Sequence, residues 1–325
     1  MSFYRNILKR ALSLTWNNKY LWFFGLFTAL LGNGGEYEII SKAFGNGESD
    51  QGILPSYSRL AETGIFTARG LKNAMQVAKN DPVYFGIIIA IFLIIVLLSI
   101  FTVWLVITSQ GALVNGSAKV LAGKKSSFKE TLEVGIRKFW PVLGLNLISR
   151  IILAIIVAAI TFPLALQLKL IGPLYLLLFI FFIPLAIVTS FIIKYAIAYV
   201  IIKEKSFVEA IRSGWKLFLE NWIISIEMAL LLAVINLAIG IVAILALMIL
   251  ATPFIFLAAV FIKMGVLFGF WAIVFIGLLI FLALIGLIGA LLATFQVSAW
   301  TGLFIELMNN GGTSKLVRMF RREEM

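Results

Sequence analysis

The chain has 325 residues, of which 62% are hydrophobic and 13% charged, with a mean hydropathy of +1.07 and a formal net charge of +12; soluble domains run at roughly 45–50% apolar and 25% charged. It contains no cysteine and no histidine, which excludes disulfides, thiolate and imidazole metal sites, Ser-His triads and imidazole general bases. The two aspartates, Asp50 and Asp81, lie outside the long apolar runs, so an aspartate dyad within a membrane is excluded as well.

A hydrocarbon core of about 30 Å is crossed by about 20 apolar residues in a helix, and the chain holds several runs of that length. The start, 2–16, is amphipathic and basic. A short apolar run, 20–32, follows. A basic start before an apolar run is also the pattern of a secretory signal, but the leading segment is long and no small-residue cleavage site appears in LLGNGGE. The run is therefore expected to stay as a short first span. The loop 33–82 opens with the turn-rich GNGGEYE. Its Leu60, Gly64, Ile65, Ala68, Leu71, Met75 and Ala78 then predict a helix over about 57–80 that covers the outer ends of the spans or lies on the outer leaflet.

Five further spans are expected at 83–109, 140–163, 173–202, 222–252 and 266–308, six in all. Pro184 is expected to kink the fourth span. Pro253 is expected to end the fifth, leaving 254–262 as a short interfacial or re-entrant helix. The spacing of Gly286, Gly289 and Ala293 predicts close helix packing.

The basic residues gather in four places: Arg5, Lys9, Arg10 and Lys19; the stretch 119–138; the stretch 203–216; and the C-terminus. The short loops between them carry one each, Lys169 and Lys263. This is the positive-inside pattern. It predicts a multi-pass protein of the cytoplasmic membrane with both termini cytoplasmic and the loop 33–82 outside. The same distribution explains the basic balance without a nucleic-acid partner.

An internal repeat is visible in SFKETLEVGIRKFW (127–140) and SFVEAIRSGWKLFLENW (206–222). At an offset of 79, Ser127 matches Ser206, Glu130 matches Glu209, Gly135 matches Gly214 and Phe139 matches Phe218. Both begin S-x-x-E, which predicts a helix capped by Ser127 with Glu130 and by Ser206 with Glu209. Their apolar spacing predicts amphipathic helices lying in the membrane interface. With 2–16 as a third, degenerate copy, the expected fold is all-α. It is one integral membrane domain over 1–325, built as three units of interfacial helix plus helical hairpin. These units span about 2–122 with the insertion 33–82, 126–203 and 206–308, followed by a cytoplasmic tail 309–325.

The segment YAIAYVIIKEKSFVEAIRSGWKLFLENW (195–222) combines a span, a short charged turn and an amphipathic helix with Ala210, Ser213, Trp215 and Trp222. In this it resembles the membrane domain attached to some glycerophosphoryl diester phosphodiesterases, and related stand-alone bacterial inner-membrane proteins. The resemblance implies an architecture and a bacterial cytoplasmic membrane, with proximity to lipid metabolism. It does not imply catalysis, because that activity belongs to a separate soluble barrel with essential histidines.

Charges inside spans cost roughly 2.5–3.5 kcal/mol on the insertion scale, so they mark candidate sites. Arg150 lies about 15 Å into the third span and Lys194 at similar depth in the fourth. Glu227 lies about 7 Å into the fifth. Asn146, Asn236, Gln110, Gln296 and Glu306 add polar groups. One reading is a pocket in which Arg150 and Lys194 hold an anionic headgroup and Glu227 orients one of them, with Asn146 and Asn236 nearby. The other is structural, with Lys194 snorkelling and Arg150 paired across a helix interface. No catalytic residue, metal ligand or cofactor is expected. The expected function is a non-enzymatic membrane protein that binds or organises phospholipid through anionic headgroups, or scaffolds an envelope partner. A transporter of an anionic or amphiphilic solute is the second class, and an intramembrane lipid-modifying enzyme the third.

Overall fold

The computed structural model describes residues 2–31, 76, 79–165 and 172–310. Most of the helix expected over 57–80, the hairpin turn 166–171 and the tail from 311 lie outside them. Among the described residues the structure is all-helical. Nine helices run there in chain order: α1 (Ser2–Asn17), α2 (Tyr20–Ala29), α3 (Pro82–Leu121), α4 (Phe128–Arg137), α5 (Phe139–Ala165), α6 (Gly172–Ile202), α7 (Phe207–Glu220), α8 (Trp222–Lys263) and α9 (Leu267–Asn310). Five of them, α3, α5, α6, α8 and α9, are long and apolar enough to cross a membrane. α2 has 10 residues, about 15 Å of helix, half a hydrocarbon core.

Pro253 does not end its helix. α8 runs through it, 42 residues from Trp222 to Lys263, so 254–262 is the last part of a long helix and not a separate re-entrant piece. Proline removes one backbone donor, and inside apolar helices neighbouring Ser and Thr hydroxyls take up carbonyls near the break. Here the carbonyl that loses its donor is that of Ile249, and next to it Thr252 Oγ1 donates to the Met248 carbonyl at 3.1 Å. The chain reverses instead at Gly265, whose φ of 69° is left-handed. Its amide donates to Ile262, and the Val266 amide donates to Phe261, which closes α8 in the manner of a glycine C-cap. α6 likewise runs through Pro184.

The chain divides into two units, Met1–Asn33 with Val106–Met325, and Gly34–Leu105. In the second unit, residues 82–105 of α3 are apolar and most of their side chains are exposed, which is compatible with a helix solvated by lipid. In the first unit the core is formed by the C-terminal halves of α6 and α9 and 106–117 of α3, with α1, α7 and the first turns of α5 and α8 packed in. Tyr195, Phe191, Phe304, Leu145 and Met228 are among its largest fully buried side chains.

The short helices are held to this core by glycines. A Cβ on Gly135 of α4 would stand 2.3 Å from the Thr108 carbonyl oxygen and 3.1 Å from the Ala112 nitrogen of α3. One on Gly214 of α7 would stand 2.8 Å from the Ile192 oxygen and 3.1 Å from the Ala196 nitrogen of α6. In both cases only a hydrogen in place of a side chain lets two backbones meet. α2 meets α9 in the same way at Gly25, where a Cβ would stand 2.4 Å from the Ala290 carbonyl oxygen, while Gly286 and Gly289 of α9 make looser contacts with Leu26 and Ala29.

The caps follow the S-x-x-E pattern with one difference. In α7, Ser206 and Glu209 form the reciprocal box, the Ser206 amide donating to Glu209 Oε2 at 3.3 Å. In α4 the Ser127 hydroxyl accepts from the Glu130 amide at 3.4 Å, but the Glu130 carboxylate takes Lys119 Nζ at 2.5 Å. A charged partner across the turn displaces the weaker backbone contact.

Candidate functional site

Several polar residues of the long apolar helices make hydrogen bonds between helices. Asn146 on α5 donates to Gln110 Oε1 on α3 at 2.7 Å and to its own Val142 carbonyl at 2.9 Å. Gln296 on α9 donates to Asn236 Oδ1 on α8. Each amide pair thus ties a span to its neighbour. The Arg150 guanidinium, exposed on α5, donates to the Leu31 carbonyl just past α2. Lys194 lies with its ammonium 4.7 Å from the Trp300 ring centre and 5.7 Å from that of Phe191, the geometry of a cation over aromatic faces. Glu227 accepts a hydrogen bond from the Tyr4 hydroxyl. This bond joins α8 to the first helix of the chain.

Glu227 lines a cavity of about 1180 Å³ between α1, α8 and α9. Arg150, Lys194, Asn146 and Asn236 are not among its lining residues. Its polar groups come almost entirely from α1, with Tyr4, Arg5, Lys9 and Thr15 joining Glu227. Deeper in, the walls are aliphatic, formed by Leu231, Val234 and Ile239 of α8 and by Ile288 and Leu292 of α9. α1 owes its place to its own amphipathic sequence. Tyr4, Ile7, Ala11 and Leu14 are buried at helical spacing. Arg10 on the outer side pairs with Glu306 of α9 at 3.3 Å. Arg5, Leu8, Lys9 and Leu12 are then left to face the cavity.

Sequence reasoning places Glu227 near a pocket but misses the α1 wall, because Arg5 and Lys9 are fully accounted for as topology-setting charges. The signal is nonetheless present. Arg5 and Lys9 stand four residues apart, one turn of helix, and Leu8 and Leu12 repeat the same interval.

Other charged contacts lie at the helix ends. Arg137 pairs with Glu204 at 3.2 Å, and Lys205 donates to Ser213 at 2.7 Å. The Lys119 hydrogen bond, and its charge, hold the Glu130 carboxyl below the ordinary value of 4.5. Buried polar side chains also occur around α3 between Thr108 and Ser117. Ser117 bonds Ser298 of α9 at 2.9 Å, whereas Thr108 Oγ1, Ser109 Oγ and Asn115 Nδ2 have no hydrogen-bond partner among the described residues. No group of three or more Asp or Glu that could hold a metal ion occurs among the described residues.

Five long apolar helices and a largely aliphatic cavity with a polar mouth are compatible with a multi-pass membrane protein. Compared with protein-family profiles, curated proteins and solved structures, the chain matches none.

Proposed function

We propose that this chain is a non-enzymatic protein of a bacterial cytoplasmic membrane that binds or organises phospholipid, a role in which it could also scaffold an envelope partner. In this reading six spans are counted, α2 being the short first one, and both termini are cytoplasmic. The observation that carries it is the cavity between α1, α8 and α9: about 1180 Å³, aliphatic along its depth, with cations at one end. That is the division of an amphiphile. The pattern Tyr195–Trp222 supports kinship with the phosphodiesterase-associated membrane domains as part of the same proposal. Reading the chain as three repeated units is supported by the matched glycines. Gly135 and Gly214 meet residues four apart on the preceding helix, Thr108 with Ala112 and Ile192 with Ala196.

The headgroup is assigned to the α1 end of this cavity. Arg150 and Lys194 have other work here, Arg150 tying α5 to the end of α2 and Lys194 lying on Trp300. The test is native mass spectrometry of the protein released from its own membranes, beside Leu231→Trp, which sets a bulky indole in the aliphatic wall of the cavity, and Arg150→Ala. Retained phospholipid in wild type and in Arg150→Ala, lost in Leu231→Trp, is the expected result. Equal lipid in all three refutes the cavity as its place.

A second reading, a transporter of an anionic or amphiphilic solute, is favoured by the polar groups within the bundle, the Asn146–Gln110 and Gln296–Asn236 pairs with the unpartnered Thr108, Ser109 and Asn115. Polar groups at this depth are a transporter feature. Solute flux into liposomes that disappears in Asn146→Leu distinguishes it; no flux across a panel of anionic solutes counts against it.

A further inference from the structure

We infer that the cavity is selective for anionic phospholipid. It takes one such molecule, with its phosphate against Arg5 and Lys9 of α1 and an acyl chain laid between α8 and α9. This rests on the phospholipid reading above and adds the headgroup class and the residues that choose it.

The first ground is charge. Arg5 and Lys9 are both exposed and both line the cavity. Four residues apart on one helix face, two cations repel each other. Neither has an ion-pair partner among the described residues, whereas Arg10, on the other side of the same helix, is paired with Glu306. An anion between them relieves the repulsion. A guanidinium fork matches two phosphate oxygens and an ammonium adds a point charge beside them.

The second ground is what the mouth offers a cationic headgroup. Glu227 is the one acid among the described lining residues, and it already accepts from Tyr4. A choline or ethanolamine group would meet Arg5 and Lys9 before any uncommitted carboxylate. A lipid with net negative charge meets only the favourable partners.

The third ground is depth. Along α8 the lining runs from Glu227 to Ile239, twelve residues or about 18 Å of helix. One leaflet of the hydrocarbon core is about 15 Å. A soluble phosphate has no use for that aliphatic length, and a lipid of a single leaflet spans it. The volume, about 1180 Å³, also exceeds the roughly 300–1,000 Å³ of ordinary small-molecule pockets.

The experiment places the full chain in nanodiscs of equal phosphatidylglycerol and phosphatidylcholine with identical chains, and counts lipids retained after release by native mass spectrometry. Wild type is expected to retain one phosphatidylglycerol with a preference of at least about fivefold, the order expected per basic residue near a charged lipid surface. The double variant Arg5→Gln, Lys9→Gln is expected to lose the preference yet retain one lipid of either kind. Arg10→Gln, which removes a neighbouring charge off the cavity, is expected to keep it. Size-exclusion elution and thermal unfolding check that the variants, all at exposed positions, are folded. A wild type that retains both lipids equally overturns the selectivity but leaves the phospholipid reading standing. A loss in Arg10→Gln as large as in the double variant reduces the effect to general surface charge and overturns the site. If Leu231→Trp keeps its lipid, the phospholipid reading of the cavity itself fails.

Discussion

Replacing Gly135 by alanine adds one methyl group at the point where α4 rests on α3. The new Cβ would lie 2.3 Å from the Thr108 carbonyl oxygen and 3.1 Å from the Ala112 nitrogen. The first distance is about an ångström inside ordinary van der Waals contact, and both atoms belong to helix backbone that cannot swing aside as a side-chain tip can. α4 must therefore lift. Overpacking of this kind costs about 1–3 kcal/mol, and an opening of about 0.5–1 Å forfeits a quarter to a half of each dispersion contact across the seam. Against that, alanine in a helix is favoured over glycine by up to about 1 kcal/mol. The severity of the clash points to the upper part of the range, for a net loss of about 2 kcal/mol. At roughly 2–4 °C per kcal/mol for domains of 150–250 residues, the midpoint of thermal unfolding in detergent should fall by about 4–8 °C. Gly240 is the internal comparison. It lies inside α8, and a methyl group there would have nothing within 4 Å, so Gly240→Ala keeps the propensity gain without the clash and should leave the midpoint level or raise it. If the two substitutions shift the midpoint alike, or if Gly135→Ala is harmless, the account of how α4 is seated is wrong.

Three further outcomes follow from individual contacts. Glu130 titrates below 4.5 in the folded protein because Lys119 bonds and attracts its carboxylate. A carboxyl with a lowered folded value contributes stability above its unfolded value and loses it as pH falls through the folded one. The stability gap between wild type and Glu130→Gln should therefore be full at neutral pH and close below about 4.5; unfolding midpoints that keep the same gap well into acid refute this. Tyr195→Phe removes a buried hydroxyl 2.7 Å from Ser225 Oγ. Ser225 can still donate to the Asn221 carbonyl at 3.0 Å, so urea or thermal unfolding should report a loss of only about 0.5–1.5 kcal/mol, and a loss above about 3 would mean the bond does more than this. A double-mutant cycle of Asn236→Leu with Gln296→Leu should show a coupling of about 0.6 kcal/mol, up to about 1.7, the range found for such bonds between membrane helices; zero coupling would dissolve the pair.

What can be read without coordinates is whatever a helix decides locally. The long apolar runs mark the five long helices to within a few residues, apart from the last part of α8 and the far end of α3, because length and composition alone determine whether a segment can cross lipid. Ser127 and Ser206 mark two helix starts because a capping side chain reaches only its own first turn. The expectation at Pro253 fails because a rule learned for helices in water assumes that broken backbone bonds find water instead. In α8 the nearby Thr252 hydroxyl bonds a carbonyl one turn back, and the helix continues. The cavity lined by Glu227 does not count Arg150 or Lys194 among its lining residues. Their positions along the spans give depth, and depth says nothing about which way round the helix a side chain points. Two residues at one level can sit on opposite sides of a bundle.

The contact that brings Glu227 to the cavity is with Tyr4, 223 residues away, and no local pattern encodes a pairing between the first helix and the eighth. The same limit applies to the charges. Arg5, Lys9 and Arg10 look alike as members of a basic N-terminal cluster, and each serves the positive-inside bias equally. Only the seating of α1 on α9 separates them. It turns Arg10 toward Glu306 and leaves Arg5 and Lys9 over an aliphatic groove. A charge whose first use is topology thereby acquires a second use wherever its helix closes a cavity. In this chain that step depends on packing between helices distant in sequence, so it is the part of the site that only the fold could supply.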